Sequence, residues 1–146
     1  MQNISASFSD VHEFIDLALK LFDNDISAMP ESHRIPVLAC AAQGIIEGNG
    51  FAYFYYREFN GVKSYREFVA AYELIGDEIR SRAIHESFRL FSPFPEPPMQ
   101  TELRRDIMAK KKQHELDWLT ELERKFYDAN PTVMLLLKKW IVRVEL

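Results

Sequence analysis

The sequence predicts an all-α fold. Two observations carry that prediction. Apolar residues recur at helical spacing in the first and last segments of the chain, and helix start and stop signals punctuate the stretch between them. The chain has 146 residues, 47% apolar and 27% charged. That is the composition of a soluble globular protein, read here as one domain, 1–146, long enough to bury a core.

Ser7 or Ser9 caps a first helix running to about Asp23. Val11, Phe14, Ile15, Ala18 and Phe22 form its buried stripe. Asp10, Glu13, Asp16 and Asp23 lie on its other face, interrupted only by Lys20. Residues 24–34 read as a loop turning at Met29-Pro30. Pro36 suits the first turn of a second helix, and Val37 to Glu47 is apolar almost all round, as in a buried helix. Gly48 ends it in a left-handed cap, Asn49 caps the segment that follows, and Gly61 closes that segment.

Six of the nine residues from Phe51 to Phe59 are aromatic. As a helix, this segment places Phe51, Phe54, Tyr55 and Phe59 on one face. As a strand, it would lie between Asn-Gly turns. Periodicity does not separate the two, because nearly every position is apolar.

Ser64-Tyr65-Arg66-Glu67 is a capping box opening a helix that stops at Gly76. Asp77 caps the next, with Ile79, Ala83, Ile84, Phe88 and Phe91 on its inner face. Ser92 to Pro98 holds four prolines and reads as a stiff surface connection. Thr101 caps a segment reaching Tyr127, with Leu103, Ile107, Met108, Trp118, Leu119, Leu122 and Phe126 inward. Lys111 and Glu115 fall where that stripe should continue, so the segment is either one overhanging helix or two, broken near Lys112-Gln113. Asn130-Pro131 starts the last helix, where Val133, Leu136, Leu137, Trp140, Ile141 and Val144 keep helical spacing.

Charge is uneven along the chain. Net charge is −4, with seven acids against two bases in residues 1–50 and eight against ten in residues 101–146. No apolar run approaches the ~20 residues a membrane helix needs, and the N-terminus does not read as a signal peptide. The single Cys40 excludes an internal disulfide and fits a cytoplasmic protein. It reads as a small core residue, without the basic neighbours a catalytic thiol requires.

Catalytic motifs are not visible. His12, His33, His85 and His114 do not pair at metal-ligand spacing, and His85-Glu86 lacks the second histidine of a zinc-protease helix. Gly48-Asn49-Gly50 lacks the Lys-Ser/Thr tail of a phosphate loop. The expectation is therefore a non-enzymatic protein without metal or cofactor.

The order of features resembles the bacterial DNA-mimic protein family from roughly Ile35 to Trp140. Gly48-Asn49-Gly50-Phe51 with Phe54-Tyr55 stands where the family has Asn-Gly-Gly-Phe and its aromatics. Leu74-Ile75-Gly76 matches a helix end, and Leu122-Glu123 with Phe126-Tyr127 carries Glu where the family has Asp. The resemblance implies that the aromatic segment is a helix, making about six to eight helices around a central aromatic one. It also implies an acidic homodimer that occupies the DNA-binding face of a transcription regulator, touching neither nucleic acid nor membrane itself. The acidic face for such a basic partner would be Asp10, Glu13, Asp16 and Asp23, extended by Asp25, Glu31 and Glu47. Over roughly 20 Å of the first helix, four acids and one lysine leave a net charge about every 7 Å, sparser than duplex DNA. The alternatives are an immunity-type inhibitor of a toxin, and a small-molecule binder or enzyme with a pocket at Tyr53 or Tyr56.

Overall fold

The computed structural model describes residues 8–145 and contains seven α-helices and no strand among them. The helices are α1 (Phe8–Leu21), α2 (Glu31–Tyr56), α3 (Arg66–Leu74), α4 (Glu78–Ser87), α5 (Thr101–Ala109), α6 (Gln113–Asp128) and α7 (Val133–Glu145). Short 3-10 turns at Ile26–Ala28 and Phe88–Phe91 complete the order. The fold is all-α, as the sequence predicts. The central element is α2, which packs against α1, α3, α5, α6 and α7, while α4 bridges α3 and α6.

Val11, Ile15 and Ala18 bury α1, with Phe14 and Phe22 half-buried against His33. The helix ends at Leu21 rather than at Asp23. Asp23 and Asn24 take left-handed backbone conformations (φ 52° and 61°) that stop it, which Asp and Asn tolerate better than most residues. Ser7 lies outside the described residues, and Ser9 falls inside the helix rather than before it.

The second helix starts at Glu31, a turn earlier than Pro36 suggests. Pro36 therefore sits inside it, and its missing N–H leaves the Ser32 carbonyl without the usual helical donor. Trp140 Nε1 of α7 donates to that carbonyl at 3.1 Å. Gly48 is helical rather than a cap, and the helix breaks at Gly50 (φ 81°, ψ 175°). The aromatic segment is the continuation of α2 beyond this kink. It ends at Tyr56, five residues short of Gly61.

The aromatic half supplies the core. Phe51, Phe54 and Tyr55 are fully buried, and Phe54 meets Tyr55, Phe59, Tyr65 and Phe68 at ring-centre distances of 5.0–5.5 Å. The capping box forms with one shift of partner. Glu67 accepts from the Ser64 N–H at 3.2 Å, while Ser64 Oγ accepts from the Arg66 N–H at 3.1 Å. Gly76 (φ 88°) ends α3, with the Asp77 N–H on the Tyr72 carbonyl and the Gly76 N–H on that of Glu73. Asp77 then caps α4 through the Arg80 N–H.

Ala83, Ile84, Phe88 and Phe91 are buried as expected, and one expected residue, Ile79, is not. Arg80, Ser81, Ala83, Ile84 and Ser87 are inside, whereas Ile79 is 50% exposed. Thr101 is the first residue of α5 rather than its cap. Residues 101–127 form two helices, broken at 110–112, and Glu115 accepts from the Lys112 N–H at 3.2 Å to start the second. Lys111 and Glu115, which interrupt the apolar stripe, pair with each other at 3.3 Å beside the break. The last helix begins two residues beyond Pro131, where Thr132 Oγ1 accepts from the Leu135 N–H.

Trp140→Phe strands the Ser32 carbonyl and should cost about 1–2 kcal/mol in urea unfolding. Pro36→Ala restores the helical donor, so the double variant should recover most of that loss; additive effects would show that the indole bond does not serve the Pro36 gap. Burial also raises the phenol pKa values of Tyr55 and Tyr72, and pushes Tyr65 up to about 12. Unfolded tyrosine ionises near pH 10, so these groups favour the fold below that value and lose their contribution as pH rises from about 10 to 12. Tyrosine absorbance followed through this range should show their ionisation coinciding with the loss of helical circular dichroism.

Candidate functional site

The residues that carry the family resemblance meet at the kink in α2. Breaking a helix frees carbonyls on one side and N–H groups on the other. Here α6 meets one group on each side of the break. Glu123 Oε1 accepts from the Phe51 N–H at 2.8 Å, and Tyr127 donates its hydroxyl to the Ile46 carbonyl at 2.7 Å. Glu123 and Tyr127 are four residues apart, so they share one face of α6. Leu122 and Phe126 turn inward beside them, and Phe126 meets the rings of Phe51 and Tyr72 edge-on. A Cβ on residue 50 would lie 2.5 Å from Glu123 Oε1, in a backbone region that side chains rarely adopt. Gly50 thus admits the carboxylate. The cap of the aromatic segment is Glu123 from α6, not Asn49.

Of the other motif residues, Ile75 is buried and Leu74 is 45% exposed at the end of α3. These residues hold the fold, and the surface near the kink is where they approach solvent. A cleft of about 370 Å³ opens there between α1, α2 and the start of α7. Its lining includes His12, Cys40, Gln43, Glu47, Arg80 and Tyr127. It is a different place from the pocket expected at Tyr53 or Tyr56, neither of which lines it.

A chain of hydrogen bonds runs from the core to the mouth of this cleft. The single hydroxyl proton of buried Tyr72 faces two acceptors, Gln43 Oε1 at 2.8 Å and the Ala39 carbonyl at 3.0 Å, and Gln43 Nε2 donates to Glu47. Burial raises the Cys40 thiol above its ordinary pKa, and the charge of Asp16 adds to the effect, so the thiol stays neutral. That favours the packing role over a nucleophilic one. Among the described residues no cluster of His, Cys, Asp and Glu could hold a metal ion.

The acidic candidates separate into groups. Asp10, Glu13 and Asp16 are exposed along α1, and Asp23 is exposed in the turn after it. Glu47 of α2 is exposed and lines the cleft with Cys40 and with His12 of α1. Asp25 is half-buried and occupied: it accepts from the Ser27 N–H at 3.0 Å and from Ser27 Oγ at 2.6 Å, capping the 3-10 turn. Glu31 stands sixteen residues before Glu47, about 24 Å away along α2. It is exposed at the other end of the straight part of that helix.

Sequence reasoning passed over two buried arginines. All five Arg104 donors find oxygen: Tyr55, Arg57, Pro98 and Met99 carbonyls at 2.6–3.0 Å, and Thr101 Oγ1 at 3.4 Å. Its guanidinium also lies 5.0 Å from the Tyr65 ring centre. Arg80 pairs with Asp77 at 2.6 Å and holds the Ala129 and Pro131 carbonyls of the α6–α7 turn. Each was findable from spacing, since Arg104 precedes Met108 by four residues and Arg80 precedes Ile84 by four, on the apolar faces of their helices.

The family model for DMP19-like protein matches residues 27–144. The chain belongs to this DNA-mimic family. No curated protein and no solved structure matches it. The matched region contains the kink, its α6 clamp and the cleft residues from Cys40 to Tyr127. It excludes α1, so Asp10, Glu13, Asp16, Asp23 and Asp25 stand outside the part shared with the family, and only Glu31 and Glu47 stand within it. No described helix is long and apolar enough to cross a membrane.

The clamp yields a graded prediction. Gly50→Ala forces both a clash and a disfavoured φ, and should cost about 2–4 kcal/mol or prevent folding. Glu123→Gln keeps an acceptor and should cost under about 1 kcal/mol, whereas Glu123→Ala should cost about 1–3 kcal/mol. Equal effects of the two Glu123 variants in thermal unfolding would remove the capping role.

Proposed function

We propose that this chain is a non-enzymatic interaction protein that acts as a DNA mimic, presenting carboxylates to a basic DNA-binding protein such as a transcription regulator. The observation that carries the reading is membership of the DMP19-like family. The exposure of Asp10, Glu13 and Asp16 on α1 and of Glu47 on α2 supports it by offering the carboxylates such a surface needs. A protein surface built to bind phosphates carries Lys and Arg, and it accepts carboxylates for the same electrostatic reason.

The charge of one copy is sparse beside that of duplex DNA. A homodimer that set two α1 faces side by side would double the acids available to one partner, and we take the dimer as the working form. The lone Cys40 accords with a cytoplasmic protein.

The structure guides the choice of variants. Asp25 is left intact because it caps a turn, and Asp23 because a lysine would be strained at its left-handed backbone. Reversing Asp10, Glu13, Asp16 and Glu47 to lysine should abolish capture of a DNA-binding partner from host lysate. The wild-type complex should fall apart as salt rises toward ~0.5 M and on addition of duplex DNA. Capture by the fourfold variant at wild-type strength, or a complex that binds duplex DNA undisturbed, would rule out mimicry through this face.

A further inference from the structure

Two complementary surfaces stand apart on the same chain. The first is a ridge on α1. Leu17 and Leu21 are 65% and 70% exposed, the two most exposed large apolar residues among those described. Glu13, Leu17 and Leu21 follow one another at four-residue spacing and share a face, with Asp16 and Lys20 on the row beside it. From Phe8 to Leu21 the helix carries three acids and one lysine. The ridge is thus apolar toward its end and acidic before it.

The second surface is a hollow of about 240 Å³ where the 3-10 turn at Phe88–Phe91 meets the start of α6. Buried Leu90 and half-buried Trp118 give it an apolar lining, completed by Arg89, His114 and Glu115. Arg89 and His114 are exposed. The run Lys110-Lys111-Lys112 leads into the same helix start, with Lys110 and Lys112 exposed. The acids of this stretch are already engaged. Glu115 pairs with Lys111 at 3.3 Å, and Asp117 accepts from Gln113 Nε2 at 2.9 Å. An apolar hollow rimmed by cations complements a ridge that carries leucine beside carboxylates. No residue of α1 lines the hollow, and α1 packs instead on α2 and α7. Bringing the two surfaces together takes a second copy.

We propose that the α1 ridge of one copy docks in the Trp118 hollow of another, head to tail. Leu17 would lie on Leu90 and Trp118, while Glu13 and Asp16 would face Arg89, His114 and Lys112. The two surfaces differ, so copies add in line or close into a ring rather than stopping at a pair. The contact covers acids proposed to meet a DNA-binding protein, and holds them in reserve until such a partner displaces it. That consequence rests on the mimic reading; the contact itself does not.

The test is sedimentation velocity of the full chain at rising protein concentration, at ~0.02 M and ~0.5 M salt. Mass should grow past the dimer at the lower salt and fall back at the higher. As it grows, the indole N–H resonance of Trp118 should shift, while that of Trp140, held on the Ser32 carbonyl, stays in place. Leu17→Ser, at an exposed position, should weaken the association about tenfold. Reversing the ridge (Glu13→Lys with Asp16→Lys) or the hollow (Arg89→Glu with His114→Glu) should weaken it by about tenfold or more. All four substitutions in one chain should restore it, which a damaged fold could not do. The proposal is overturned if mass stays constant with concentration at the lower salt. It is equally overturned if the hollow variant associates like wild type, or if the fourfold variant does no better than either pair. Loss in the hollow variant with the ridge variant unaffected would overturn α1 as the occupant in favour of another acidic segment. None of these measurements involves a DNA-binding partner, so their failure is distinct from a failure of mimicry.

Discussion

The structure depends on how a broken helix is made whole. Helix α2 carries the core, yet it turns at Gly50, and the turn leaves part-buried backbone groups in need of partners from outside the helix. Two side chains of α6 answer for both sides of the break, Glu123 for the Phe51 N–H and Tyr127 for the Ile46 carbonyl. The same face of α6 sends Phe126 against Phe51. The polar clamp and the apolar contact therefore set one register between the two helices. The spacing of the motif on α6 has a physical reason in this arrangement: acid and phenol four apart, with the buried aromatic just before the phenol.

The same solution recurs along α2. Pro36 removes a donor, and Trp140 of α7 supplies one. At the far end, where helix carbonyls again lack partners, Tyr65, Arg104 and Arg105 donate to the carbonyls of Phe54, Tyr55, Tyr56 and Arg57. Arg104 does so from full burial without a carboxylate among these acceptors; the partial negative charge of the helix end takes that place. Each of these side chains comes from another element, so the polar groups of α2 are satisfied only when α3, α5, α6 and α7 are docked. Such mutual dependence favours cooperative folding over an α2 that stands by itself.

The exposed acids are placed differently. The clamp and every cleft residue named above except His12 lie within the region that matches DMP19-like proteins, whereas His12 and the exposed acids of α1 lie before it. Glu47 is the point of contact between the two. It belongs to the shared region, ends the hydrogen-bonded chain from Tyr72, and lines the cleft with His12 of α1.

Much of this was written in local sequence. The apolar stripes of α1 and α7, the Ser64–Glu67 start, the Gly76–Asp77 junction and the break near 110–112 all follow from propensities and spacings a few residues long. The exposed acids of α1 were legible for the same reason, since a helix face is a local property. What local patterns could not decide is which polar group satisfies which. Whether Gly48 or Gly50 breaks α2 depends on where the Glu123 carboxylate arrives, seventy-two residues away in the chain. Asp25 reads as a surface acid until the 3-10 turn claims it. Arg80 and Arg104 read as surface bases until the carbonyls around them are brought together. The sequence by itself determined the buried stripes of α1 and α7 and the break between α5 and α6, because helical period and capping act over one or two turns. Tertiary structure decided the clamp, the buried arginines and the cleft, because hydrogen bonds between distant elements exist only once the core has brought those elements into contact.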